Sequence, residues 1–429
     1  MLAETLESIQ WSPSKQRVYV RVVLVALAVI LVLKTYWFFR WGFGHGRAVA
    51  DFAAFHIVAQ RVWLGDLDLT YRFEIFMKMQ AETSAGASGF MPWTYPPQFD
   101  LLLAPLAFLP VAAAYCLFTT ATLGLYLTIL RRIACNGFAQ VLVLLFPAMA
   151  ITIGCGQNGF LTGALIGLVC INVQKRQVLA GLALGAMVIK PHLAIAVGVY
   201  LLATRRWAAI ATAAIVVLAS SLLCALVFGP QIWTAWLGSI KESASFLEQG
   251  LYPLYRMISA YAALYQAGAP ASGAFFGQLV VASLGLVAIA LGITRGTSPS
   301  FALGISAMAS VMISPYAYDY DLPIVGIGLA LLLPDLVRLA SAHERSIMYA
   351  LIPLAGSYGL LQSARLATQS GQNLDPDQHF VPAVAGLALM ALLALLLRIL
   401  LRKAQPAPAS IASRSEPADI LPHSARGLE

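Results

Sequence analysis

The residues of this chain that could do chemistry sit at the ends of its apolar runs. Asp51 opens the stretch Asp51-Phe52-Ala53-Ala54-Phe55, just after the first such run. A carboxylate at a water–lipid boundary can take a proton from an attacking hydroxyl. It can equally cap a helix or lie solvated in a loop. Lys190 and His192 flank Pro191 at a helix break. Lys190, helped by His192, could steady a departing phosphate, which needs fixed positive charge. The alternative is a plain outer-surface lysine. Gly156-Gln157-Asn158-Gly159 puts two amides in a tight turn. Amides donate and accept, which suits sugar hydroxyls, although a turn chosen for its glycines reads the same way. Asp319 and Asp321 flank Tyr320 at the top of an apolar run. Acidic groups at membrane depth cost about 2.5–3.5 kcal/mol, so the pair is either buried for a purpose or sits in water just above the bilayer. Tyr95, before Pro96-Pro97, and Tyr316 and Tyr318 could stack on a sugar or belong to an interfacial tyrosine belt. The sequence has no HExxH and no Walker loop, and Gly154-Cys155-Gly156 lacks the strand–helix context of a nucleotide site.

The elements that must position these residues are membrane helices. Of 429 residues, 60% are hydrophobic and 11% charged, against about a quarter charged in soluble domains. Near-spanning apolar runs recur from Val22 to Leu401, which makes an all-α polytopic membrane protein. The formal charge of +8 does not point to nucleic acid. Its basic residues cluster at run ends, as at Arg131/Arg132, Lys175/Arg176 and Arg205/Arg206, the pattern of cytoplasmic loops. The five cysteines show neither metal-ligand spacing nor a disulfide framework. The first run reads as a retained anchor, not a cleaved signal.

Hydropathy gives about twelve crossings with both termini cytoplasmic. Residues 1–21 form a cytoplasmic segment, 22–402 the membrane domain and 403–429 a disordered tail rich in Pro, Ala and Ser. Exterior loops span about 40–97 and 229–272. Each should carry an interfacial helix. In the first, Phe52, Phe55, Val58 and Val62 mark the apolar face; in the second, Trp233, Trp236 and Ile240 do. The four runs between 138 and 204 are short for a bilayer of about 30 Å. In this topology Asp51, Gln157-Asn158, Lys190 and Asp319-Tyr320-Asp321 all fall outside, and the basic pairs inside.

The ordered landmarks resemble glycosyltransferase family 87. They are Asp51-Phe52 after the first span, Tyr95-Pro96-Pro97 with Leu103-Ala104-Pro105-Leu106, Gly156-Gln157-Asn158, Ala180-Gly181 leading to Lys190-Pro191, and Ser314-Pro315 with Tyr318-Asp319. The resemblance covers about residues 20–400 and implies a GT-C-like bundle with its active site in the exterior loops. It implies an inverting, metal-independent hexosyltransferase of the cell membrane, with no cofactor. The donor would be a polyprenyl-phosphate hexose, mannose foremost, since the family includes an α-1,2-mannosyltransferase; the acceptor would be a lipid or glycan hydroxyl. Asp51 matches the family's catalytic aspartate, with Phe52 where an acidic pair would place a second carboxylate. Tyr95, Gln157, Asn158, Tyr318, Asp319 and Asp321 become candidates for sugar or acceptor binding, and Lys190 and His192 for the donor phosphate. A lipid or sugar transporter is the competing class, although its site would lie near the bilayer midplane.

Overall fold

The computed structural model of the chain describes residues 2–43, 51–84, 90–369 and 381–402. Among these residues the regular structure is helical, and the one isolated antiparallel bridge joins Met257 to Tyr318. The twelve apolar runs fold as α2 (Pro13–Trp41), α6 (Val111–Ala134), α7 (Phe138–Cys155), α8 (Gly159–Asn172), α9 (Gln177–Ala186), α10 (Ile195–Ala203), α11 (Trp207–Phe228), α14 (Ala271–Thr294), α15 (Pro299–Ile313), α16 (Pro323–Leu339), α17 (Ala342–Gln369) and α18 (Val384–Leu401). The remaining helices are α1 (Leu2–Glu7), α3 (Asp51–Leu64), α4 (Phe73–Thr83), α5 (Pro97–Leu103), α12 (Gln231–Glu248) and α13 (Ala260–Gln266).

Among the described residues, five segments are long and apolar enough to cross a membrane: Pro13–Trp41, Val111–Cys155, Trp207–Phe228, Ala271–Thr294 and Val384–Leu401. The chain is thus a multi-pass membrane protein. The second of these segments breaks at Cys135–Gly137, where Cys135 takes φ 47°. The expected twelve crossings exceed the five segments of spanning length. Helices α8, α9 and α10 have 14, 10 and 9 residues, and at about 1.5 Å per residue the longest rises only about 21 Å.

Lipid tails are as apolar as leucine, so bundle helices associate through close packing more than through water exclusion. Gly181 and Gly185, one turn apart on α9, provide it: a Cβ on Gly181 would lie 2.4 Å from the Ala209 carbonyl oxygen, and one on Gly185 2.5 Å from Val216 Cβ. Outside the bundle the usual hydrophobic effect returns. Phe52, Phe55, Tyr71, Trp93 and Phe99 join the ends of α2 and α6 in a second apolar core. Fully burying one such ring is worth roughly 1.5–3 kcal/mol.

The helix expected from Asp51 forms, but not as an interfacial helix. Phe52 through Ala59 are all buried on α3, including His56, whose Nε2 lies 2.8 Å from the Leu109 carbonyl. Its apolar stripe, expected at the membrane interface, is covered by α5, α6 and the turn after Leu103. In α12 the reading is closer: Leu237 and Ile240 are exposed and Ile232 is buried. Helix α17 continues to Gln369. The tail at 403–429, the small-residue loop over 85–89 and the polar stretch from 370 to 378 lie outside the described residues.

Candidate active site

The start of α3 and five breaks between later helices meet at one end of the bundle and enclose a cavity of about 240 Å³, roughly the size of one sugar residue. Asp51 lines it from the first residue of α3, and Tyr95 from the extended segment before α5. Gln157 lines it from the α7–α8 turn, Lys190 and His192 from the α9–α10 break, Arg256 from the α12–α13 connection, and Tyr318 and Tyr320 from the α15–α16 turn. Lys175/Arg176 after α8 and Arg205/Arg206 after α10 lie at the far ends of two of these helices, and Arg131/Arg132 lie in the last turn of α6.

The α7–α8 turn explains both of its glycines. Gly156 ends α7 in the left-handed region at φ 70°, and a Cβ there would press on Phe52 Cβ at 2.6 Å. A Cβ on Gly159 would stand 1.7 Å from the Tyr320 carbonyl oxygen. The turn is therefore pressed onto both α3 and the α15–α16 turn. This places the Gln157 amide between two partners: its Nε2 donates to Asp51 Oδ2 at 3.0 Å, and its Oε1 accepts from the Tyr95 hydroxyl at 2.9 Å. A carboxylate only accepts, so one amide orientation satisfies the chain Tyr95–Gln157–Asp51. Asn158 is fully buried and lies off the cavity wall; its amide atoms have no hydrogen-bond partner among the described residues.

Two buried ion pairs stand behind the wall. Lys190 Nζ lies 2.7 Å from Asp321 Oδ1. It also sits over the Tyr320 ring, 4.7 Å from its centroid. Asp321 Oδ2 accepts the Tyr318 backbone N–H at 3.1 Å. Arg256 grips Asp319 with two bonds, Nε to Oδ2 at 3.2 Å and Nη2 to Oδ1 at 3.0 Å. Asp319 and Asp321 are wholly buried and off the cavity lining, so they act as counter-ions that fix two cations at the wall. The α15–α16 turn is held by the Met257–Tyr318 bridge and by Ile258 N–H donating to the Ala317 carbonyl at 2.9 Å. Tyr318 and Tyr320 stack with centroids 5.1 Å apart.

Burial, with Lys190 nearby, pushes the His192 imidazole down to about 4. It is neutral at pH 7 and adds hydrogen-bonding capacity but no charge beside Lys190. Its Nε2 has no partner among the described residues. Sequence reasoning missed Arg256. Positive charge is scarce in exterior loops; the argument that singled out Lys190 would have found Arg256 too. Trp93, Trp236 and Tyr252 also line the cavity, and only the three-dimensional fold singles them out from other interfacial aromatics.

The profile of glycosyltransferase family 87 matches residues 93–315, a span that holds Tyr95, Gln157, Lys190 and Arg256. No curated protein and no solved structure matches the chain. A multi-pass helical chain, more than half of which fits that profile, belongs to glycosyltransferase family 87.

Proposed function

We propose that the protein moves a hexose, mannose foremost, from a polyprenyl-phosphate carrier to a hydroxyl of a lipid or glycan acceptor, with inversion. The observation that carries this reading is a carboxylate, Asp51, and two fixed cations, Lys190 and Arg256, on the wall of one aromatic-lined cavity of sugar size. The acceptor oxygen forms its bond to the anomeric carbon as the carbon–oxygen bond to phosphate breaks. The electron pair of that bond stays on the phosphate oxygen, and the acceptor proton passes to Asp51. Lys190 and Arg256 meet the charge that grows on the phosphate, while Asp321 and Asp319 keep them in place. Gln157, Tyr95 and Tyr318 shape the sugar site, Gln157 by orienting the Asp51 carboxylate; Asn158 stands behind the wall in the same turn. The basic pairs at the far helix ends support a cytoplasmic position for those ends and an exterior site at the cell membrane.

The test is transfer of label from polyprenyl-phosphate mannose to a membrane lipid extract, wild type beside Asp51→Asn. A labelled product that falls about 10²–10⁴-fold in the variant is expected for loss of a positioned base. Full activity in a folded Asp51→Asn protein would remove Asp51 as the base. Label accumulating in sealed vesicles without covalent change would replace transfer by transport.

A further inference from the structure

A second carboxyl group lies beneath the cavity wall, in the exterior layer. Asp100, on α5, is completely buried. Its Oδ1 receives the Trp93 indole N–H at 3.0 Å, and its Oδ2 lies 2.5 Å from the Tyr71 hydroxyl. The same hydroxyl lies 3.0 Å from the Tyr95 backbone carbonyl. A phenol has one proton to donate. A carbonyl oxygen only accepts, and so does an ionised carboxylate. Three oxygens in a row, Asp100 Oδ2, Tyr71 Oη and Tyr95 O, need two protons between them, and Tyr71 supplies one.

We infer that Asp100 is a neutral carboxylic acid whose proton goes to Tyr71, freeing the Tyr71 proton for the Tyr95 carbonyl, and that it positions the active-site wall. Trp93 and Tyr95 are thereby held from behind. From the front, the Tyr95 hydroxyl holds Gln157, and Gln157 holds Asp51. Asp100 touches neither cavity nor substrate; it acts through Tyr95.

The surroundings agree. Burial pushes the Asp100 carboxyl up to about 8, against the downward pull of the Tyr71 and Trp93 bonds. The other titratable group facing it is Cys224 of α11. Three charged groups on α3 and α12 are engaged elsewhere: Asp51 with Gln157, Arg61 with Asp66, and Glu242 with the Phe73 backbone N–H. His56 of α3 is bonded to the Leu109 carbonyl. No cation contacts Asp100 among the described residues, so the two neutral donors are all that offsets the cost of burying its charged form. When Asp100 ionises, the Tyr71 proton turns to it and the Tyr95 carbonyl loses its donor.

Infrared spectroscopy of the full-length protein in lipid discs reads the proton directly. A protonated-carboxyl band is expected at pH 7, absent from Asp100→Asn and lost from wild type as the pH rises through about 8. The activity arm alone rests on the transfer reading. Asn reproduces the neutral acid, with its N–H toward Tyr71 and its oxygen toward Trp93. Asp100→Asn should therefore keep transfer and lose the alkaline fall of the wild type. Asp100→Leu loses both of its hydrogen bonds, with Trp93 and with Tyr71, and should cost transfer about tenfold or more. If Asp100→Asn does not fold, Tyr71→Phe decides, because removing its acceptor must shift the band. A band missing from wild type at pH 7, a band unmoved in Tyr71→Phe, or Asp100→Asn as weak as Asp100→Leu overturns the inference. A protein with the band but no transfer keeps the proton assignment and refutes only the transfer reading.

Discussion

The Gln157 side-chain amide donates to the Asp51 carboxylate at 3.0 Å across 106 positions of sequence. That bond engages one carboxylate oxygen and gives the glutamine of the Gly156–Gly159 turn a partner on another helix. Replacing Gln157 with Glu would set two carboxylates face to face, and one of the pair would hold its proton to higher pH. The acidic limb of the transfer profile should move to higher pH. An unmoved limb, measured on purified protein between pH 5 and 8, would detach Gln157 from the base.

Lys190 has two roles that can be separated. Lys190→Met leaves Asp321 buried without its partner, a loss of about 3–5 kcal/mol for a broken buried pair, and should also abolish transfer. Adding Asp321→Asn removes the stranded charge. The double variant should recover most of the unfolding temperature and none of the activity. Recovery of transfer in the double variant would mean that Lys190 serves only the fold.

Close approach of backbones, not turn conformation alone, governs Gly159. Gly159→Ala would drive its methyl into the Tyr320 carbonyl and should cost more than the roughly 1–3 kcal/mol of ordinary overpacking. Gly154, five residues earlier, has open space at its Cβ position. Gly154→Ala should be neutral or stabilising by up to about 1 kcal/mol. Thermal unfolding of the two variants in one detergent compares them; equal melting would contradict the contact.

Acid should weaken the fold through His192. The unfolded chain takes up that proton near the ordinary histidine value of about 6.5, whereas the folded protein resists it until about 4. Because the unfolded state binds more protons in this window, stability falls as the pH drops from about 6.5 to about 4 and is unaffected by this group above it. His192→Gln should flatten the pH dependence of the melting temperature there. A dependence as steep as wild type would place the acid sensitivity elsewhere.

The legibility of the site followed its chemistry. Asp51, Gln157 and Lys190 stood at helix ends, where charge and amides interrupt apolar runs, and the fold brings them to one cavity. Periodicity also marked α3 as a helix, but it cannot tell whether protein or lipid meets an apolar face. Ala53, Ala54 and Ala59 are small enough for neighbouring helices to close around it, so the helix is buried and not interfacial. Asp100 was passed over because one acidic residue after two prolines resembles any loop aspartate until Tyr71 and Trp93 are seen against it.

By itself the sequence determined a helical membrane protein whose polar motifs gather at one end and whose basic pairs gather at the other. Apolar length and charge position are local properties that act on each segment separately. Only the tertiary structure decided which carboxylate serves which cation. The Lys190–Asp321 bond closes 131 positions and the Arg256–Asp319 bond 63. Such pairings arise from helix packing, through contacts such as Gly159 on Tyr320, and no local pattern encodes them.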